Sequence, residues 1–138
     1  MTRIDFYILP EDNQIAPLTY AARLIEKAFR LGHRIYVHTT NEAQTRQLSD
    51  ALWQRPNGFL AHDTQSGSAA HSIRISHDGI PGEHNDVMVN LAGDIPAYFA
   101  QFQRVAEIVP GLPAARTQCR INYRFYKERG YAVNTHTI

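Results

Sequence analysis

Residues 4–38 read IDFYILPEDNQIAPLTYAARLIEKAFRLGHRIYVH, and two hydrophobic periods in this stretch decide the fold. Ile4-Asp-Phe-Tyr-Ile-Leu9 is β-branched, aromatic and aliphatic apart from Asp5, and it stops at Pro10, the composition of a buried strand. Leu18, Ala21, Ala22, Ile25, Ala28 and Phe29 then recur every three or four residues. They form one apolar stripe on a helix that starts near Ala16-Pro17 and that Gly32 can end. Arg34-Ile-Tyr-Val-His38 returns to strand composition.

The same alternation continues along the chain. Thr39 with Glu42 matches a capping box for a helix that turns Ala43, Leu48, Ala51 and Leu52 inward and ends before Pro56. Phe59-Leu-Ala-His62 and Ser72-Ile-Arg-Ile-Ser76 read as short strands around a small-residue loop, and residues 77–85 as a Gly/Pro loop. Asp86-Val-Met-Val-Asn-Leu91 is another strand. After Gly93, Asp94 and Pro96, the residues Tyr98, Phe99, Phe102, Val105, Ala106 and Val109 fit an amphipathic helix stopped by Pro110-Gly111. A last helix runs roughly over residues 113–129, closed by Gly130. Strands alternating with helices argue an α/β fold: a Rossmann-like three-layer domain, with a mostly parallel twisted sheet and helices on both faces.

Composition narrows the functional classes. With 138 residues and 43% hydrophobic content the chain suits a single domain over residues 1–138. Its apolar runs fall short of the ~18 residues of a membrane span, and the N-terminus lacks a signal-peptide pattern, so a cytoplasmic location is expected. One cysteine, Cys119, excludes an internal disulfide and multi-cysteine metal sites. Helical spacing sets it with Ala115, Asn122 and Tyr126, as an inert packed thiol.

Catalytic and cofactor motifs are missing. The first strand-to-helix turn, Pro10-Glu-Asp-Asn-Gln14, offers two carboxylates where a dinucleotide's phosphates would sit, and neither G-x-G-x-x-G nor a P-loop occurs. A Rossmann-type nucleotide enzyme is therefore a distant alternative. His77 and His84, with Asp86 just beyond them, lack metal-ligand spacing and read as a solvated polar loop, and Ser66, Ser68, Ser72 and His71 lack a nucleophile elbow. No catalytic residue, cofactor or metal is assigned.

Two other features point to binding. Arg116, Arg120, Tyr123, Arg124 and Lys127 share one face of the last helix at i, i+3, i+4 spacing. From Gly111 onward there are five Lys/Arg against one acid, a net of +4. The chain as a whole is +1, so residues 1–110 carry −3 by difference. A solvated charged face is the plain reading, but unbalanced cations interleaved with Tyr123 also suit an acidic peptide ending in an aromatic residue. Single-stranded nucleic acid suits them too, although the net-acidic remainder opposes a long phosphate track. Trp53, at a helix end, and Phe59, beyond a turn, are either core caps or anchors of a protein contact.

The chain resembles the chi subunit family of bacterial DNA polymerase III. The residues that carry the resemblance are Phe6-Tyr7-x-Leu9, Gly32-His-Arg-Ile-Tyr-Val37, Leu48-x-x-Ala-Leu-Trp53, Phe59-Leu-x-His62, Asp86-Val-x-x-Asn-Leu91, Val105-x-Glu-Ile-Val109 and Arg116-x-x-x-Arg120-x-x-Tyr123-Arg124-x-Tyr126-x-x-x-Gly130. They occur in the family's order over nearly the full length. The resemblance implies a non-catalytic adaptor between single-stranded-DNA-binding protein and the psi subunit of the clamp loader, working as a monomer or a 1:1 heterodimer. It also implies that Arg116, Arg120, Tyr123 and Arg124 receive the acidic, Phe-terminated tail of single-stranded-DNA-binding protein, and that Trp53 and Phe59 face psi.

Overall fold

In a computed structural model, residues 1–11, 15–55, 62–64, 72–77 and 84–138 are described. They form β1 (Arg3–Ile8), α1 (Pro17–Arg30), β2 (Ile35–His38), α2 (Glu42–Trp53), β3 (His62–Asp63), β4 (Ile73–Ser76), β5 (Val87–Asn90), β6 (Arg104–Val109), α3 (Pro113–Glu128) and β7 (Ala132–Thr137). The strands make a seven-stranded sheet in the order β3-β4-β2-β5-β6-β1-β7, and every pairing is parallel. Helices lie on both faces, as the strand–helix alternation requires for a three-layer α/β fold.

Each face has its own core. Tyr7, Leu9, Ile35, Val37, Ile73, Ile75, Val87 and Val89 meet Ala21, Ala22 and Ile25 of α1 and Leu48 and Leu52 of α2. The alternate strand residues Ile4, Phe6, Tyr36, Met88 and Val105 meet Tyr126 of α3 together with Phe99 and Phe102. This period-2 division between faces follows from strand geometry. Because strands buried on both sides lack polar alternation, the central strands read as largely apolar runs with single polar residues.

That property explains where sequence and structure part. Residues 98–109 are not a helix: a short 3₁₀ turn at Phe99–Gln101 leads into β6, whose residues Val105 to Val109 are all buried between β5 and β1. A continuous buried run matches helical spacing by accident, and its β-branched Val105, Ile108 and Val109 favour the strand. The cap of α2 also differs. Asn41, not Thr39, accepts the Gln44 amide at 2.9 Å, Thr39 is buried against the Thr45 hydroxyl at 2.6 Å, and Ala43 is exposed. Strand β7, unread in the sequence, pairs with β1 and closes one edge. Gly130, at φ 82°, supplies the left-handed turn that sends the chain from α3 into β7.

Candidate functional site

The outer side of α3 is built from its register over the sheet. Asn122 and Tyr126 point inward and are buried, so residues displaced from them around the helix are forced outward. Arg120 and Arg124 are exposed and Tyr123 is 36% exposed, while Tyr123 still rests against Phe6 with ring centroids 6.0 Å apart. Ile8, Cys119, Arg120, Tyr123, Arg124, Lys127 and Thr135 line a groove of about 460 Å³ between α3 and the end of the sheet. A second hollow of about 420 Å³, at the N-terminal end of α3, is lined by Glu11, Gly111, Pro113, Arg116, Thr117 and Arg120. Arg120 belongs to both. Gly111 brings the connection from β6 to α3 hard against the turn after β1: a Cβ there would meet the Pro10 carbonyl oxygen at 1.9 Å.

The cations on this face are not equivalent. Arg116 is the half-buried one, donating from Nη2 to the Leu9 carbonyl at 3.0 Å and lying 3.6 Å from the Glu11 carboxylate. Arg120 and Arg124 have no carboxylate partner among the described residues. Lys127 sits over the Tyr123 ring at 5.8 Å, and Arg129 over Phe125 at 3.6 Å. The four residues singled out in the sequence therefore share one surface, with Arg116 partly committed to the fold. Cys119 packs beside Ala115, Asn122 and Tyr126, as its helical spacing predicts, and it also borders this groove. Burial, with the Glu107 charge, pushes its thiol up against the opposing pull of Arg116 and Arg120.

Beneath the groove lies a group that the sequence reading left unassigned. Glu107, on β6, is buried and accepts the Tyr126 hydroxyl at 2.7 Å and the Asn90 amide at 3.1 Å. Burial, aided by the Asp94 charge, pushes its carboxyl up to about 7 against those two hydrogen bonds. Asn122 donates to the Gly93 carbonyl at 2.7 Å. This polar network fixes α3 over the sheet and so sets where its cations stand. An isolated acid within an apolar run, as in Val105-Ala-Glu-Ile-Val109, is the sequence signal that could have found it.

The other expected surface is seen in part. Trp53 is 53% exposed at the end of α2, with its ring 4.8 Å from that of His62, and His62 in turn meets the Ser49 hydroxyl at 2.7 Å. Phe59 lies outside the described residues. So do residues 78–83; His84 is fully buried rather than solvated as the sequence suggests, and Asp86 accepts the Arg34 backbone amide at 3.0 Å while facing His33 at 3.1 Å. No described helix is long and apolar enough to cross a membrane.

Comparison with known proteins settles the family. The family model described as "DNA polymerase III chi subunit, HolC" matches residues 1–134. The chain belongs to the DNA polymerase III chi subunit family. A DNA polymerase III subunit chi from Pseudomonas aeruginosa is 38% identical over all of this chain and 98% of its own length. Those of Haemophilus influenzae and Escherichia coli K12 are 30% and 25% identical, over 96% and 99% of this chain and 95% and 99% of their own lengths. Chi membership makes this an accessory subunit of the replicative polymerase.

Proposed function

We propose that this chi subunit is a non-catalytic adaptor of DNA replication, a single domain over residues 1–138 that acts in the cytoplasm without a cofactor. On one surface it captures the acidic C-terminal tail of single-stranded-DNA-binding protein; on another it holds the psi subunit of the clamp loader, as a monomer or a 1:1 heterodimer. The observation that carries the reading is the α3 groove, where Arg120 and Arg124 stand without carboxylate partners among the described residues, beside the half-open ring of Tyr123. Guanidinium forks pair with carboxylates in bidentate fashion, and a terminal aromatic ring finds Ile8, Cys119 and Tyr123 as apolar floor. Arg116 sets the far end of the site from its anchor on Leu9. Trp53, exposed at a helix end, and Phe59 supply the psi contact, aromatic anchors being typical of interface centres.

Titrating the purified protein with an acidic peptide ending in Pro-Phe tests this. Binding should weaken steeply as salt rises from about 0.1 M to 1 M, over which the Debye length falls from ~10 Å to ~3 Å. It should also require the terminal Phe. Saturable binding of equal strength to a scrambled acidic peptide would reduce the groove to a diffuse positive field and sink the proposal.

A further inference from the structure

The opposite face of the sheet carries a second set of cations and rings that the adaptor reading does not use. Tyr7 points to the α1 side, and Asp5, two residues earlier on β1, shares that side. The Asp5 side chain is fully buried and gathers Arg104 at 2.8 Å, His136 at 3.1 Å and Arg3 at 3.5 Å. One carboxylate cannot neutralise that group, so positive charge remains at its surface, where 54% of the Arg3 and 40% of the Arg104 side chain is exposed. Lys27 of α1 lines the same small cavity as Arg104, and Arg23, one turn earlier, is exposed near Tyr20. Asp86 is engaged by His33, whose residue lines that cavity, and by the Arg34 backbone amide, and Glu26 of α1 is engaged by Arg30 and Arg55.

The rings give the patch its shape. His136 of β7 lies flat on Tyr7, with centroids 4.8 Å apart and planes 15° apart, and the Tyr20 ring meets Tyr7 at a tilt, 5.8 Å away. Because β7 is the last strand, the other face of the imidazole looks past the sheet edge, and 41% of that side chain is exposed. Asp5 locks the ring in this orientation through Nε2. A planar platform held edge-on beside guanidinium forks is the arrangement on which a nucleobase stacks while its phosphates meet cations.

We propose that this face binds single-stranded nucleic acid, with a base stacked on His136 and the neighbouring phosphates held by Arg3, Arg104, Lys27 and Arg23. The site is short, covering two or three nucleotides, and its affinity is low and salt-dependent. With about three phosphates neutralised, the logarithm of the affinity should fall with the logarithm of salt concentration at a slope near −2, since each single-strand contact contributes about −0.7.

Fluorescence anisotropy of a labelled oligothymidylate at low salt provides the test, on the full chain with folding verified by circular dichroism. Arg23→Glu with Lys27→Glu, both at exposed helix positions, should lower affinity at least about tenfold and flatten the salt slope by more than ~1. His136→Ala should weaken binding while leaving the slope unchanged, the mark of a stacking contact rather than a charge contact. Arg120→Glu on α3 should leave oligonucleotide binding intact. Absence of binding at low salt, an unaffected Arg23/Lys27 double variant, or oligonucleotide loss in Arg120→Glu alone would overturn the proposal. So would loss of the acidic Pro-Phe peptide, rather than the oligonucleotide, in the double variant, since that outcome makes the patch a peptide site. The α3 groove can fail its own peptide titration without affecting any of these readings.

Discussion

Two helical surfaces of this protein carry arginines, and among the described residues carboxylates cancel Arg30, Arg46 and Arg55 on one of them while leaving Arg120 and Arg124 unpaired on the other. On the α1–α2 side, Glu26 receives Arg55 at 2.6 Å and Arg30 at 2.8 Å, and Glu42 receives Arg46 at 2.8 Å. On α3, Arg116 reaches Glu11 and the Leu9 carbonyl, but Arg120 and Arg124 meet no carboxylate among the described residues. Equal counts of cations thus have different chemical meaning. Paired charges stitch helices together or cancel at the surface for ~1 kcal/mol or less, whereas unpaired ones beside an apolar groove remain free to recognise an anion.

The two sides also rest on the sheet differently, and the largest expected effect breaks that difference. α1 and α2 dock through apolar contacts, while α3 docks partly through the Tyr126 hydroxyl on the buried Glu107. The folded carboxyl titrates at about 7, above its ordinary 4.5, so its contribution is full below ~4.5 and is lost as pH rises through about 7. Across that window the loss amounts to about 3 kcal/mol at most. Asp94 is the charged group that helps to raise it, and the hydrogen bonds from the Tyr126 hydroxyl and the Asn90 amide oppose the rise. Chemical denaturation of Glu107→Gln should show this slope removed relative to the unaltered chain; an identical pH profile in both would mean that Glu107 does not govern the docking of α3.

A smaller effect separates binding from folding on the α2 side. Trp53→Ala should leave the circular-dichroism spectrum and denaturation midpoint nearly unchanged while weakening psi binding by ~2 kcal/mol or more, as expected for an exposed aromatic anchor. Unfolding of that variant would place Trp53 in the core instead. Smallest of all, Arg116→Ala should lower stability by about 1 kcal/mol through loss of its bond to Leu9 and should weaken the acidic peptide less than any change at Arg120. A greater loss of peptide at Arg116 than at Arg120 would reverse the order of importance within the groove.

Much of this contrast could be read before any coordinates. The α3 face was legible because i, i+4 spacing is a local property of the chain, and β1, α1, β2, β4 and β5 were legible from short-range hydrophobic patterns. What escaped depends on distant partners. β6 was mistaken for a helix because burial on both faces erases the period that distinguishes the two. β7 was missed because an exposed edge strand lacks an apolar face, although β-branched Val133, Thr135 and Thr137 alternate through it. The partial commitment of Arg116 was invisible because its carbonyl partner, Leu9, lies 107 residues away in the chain. The pairing of His136 with Asp5 spans 131.

The central claim is that unpaired charge on α3, rather than charge in general, makes the peptide site. Reversing Arg120 to Glu and, separately, Arg46 to Glu changes net charge equally on two exposed helix faces. Measured by titration with the acidic Pro-Phe peptide at about 0.1 M salt, Arg120→Glu should weaken binding at least tenfold, ~1.4 kcal/mol, with Arg46→Glu close to the unaltered protein. Equal weakening by both reversals would contradict the account, because a diffuse field and not the α3 groove would then hold the peptide.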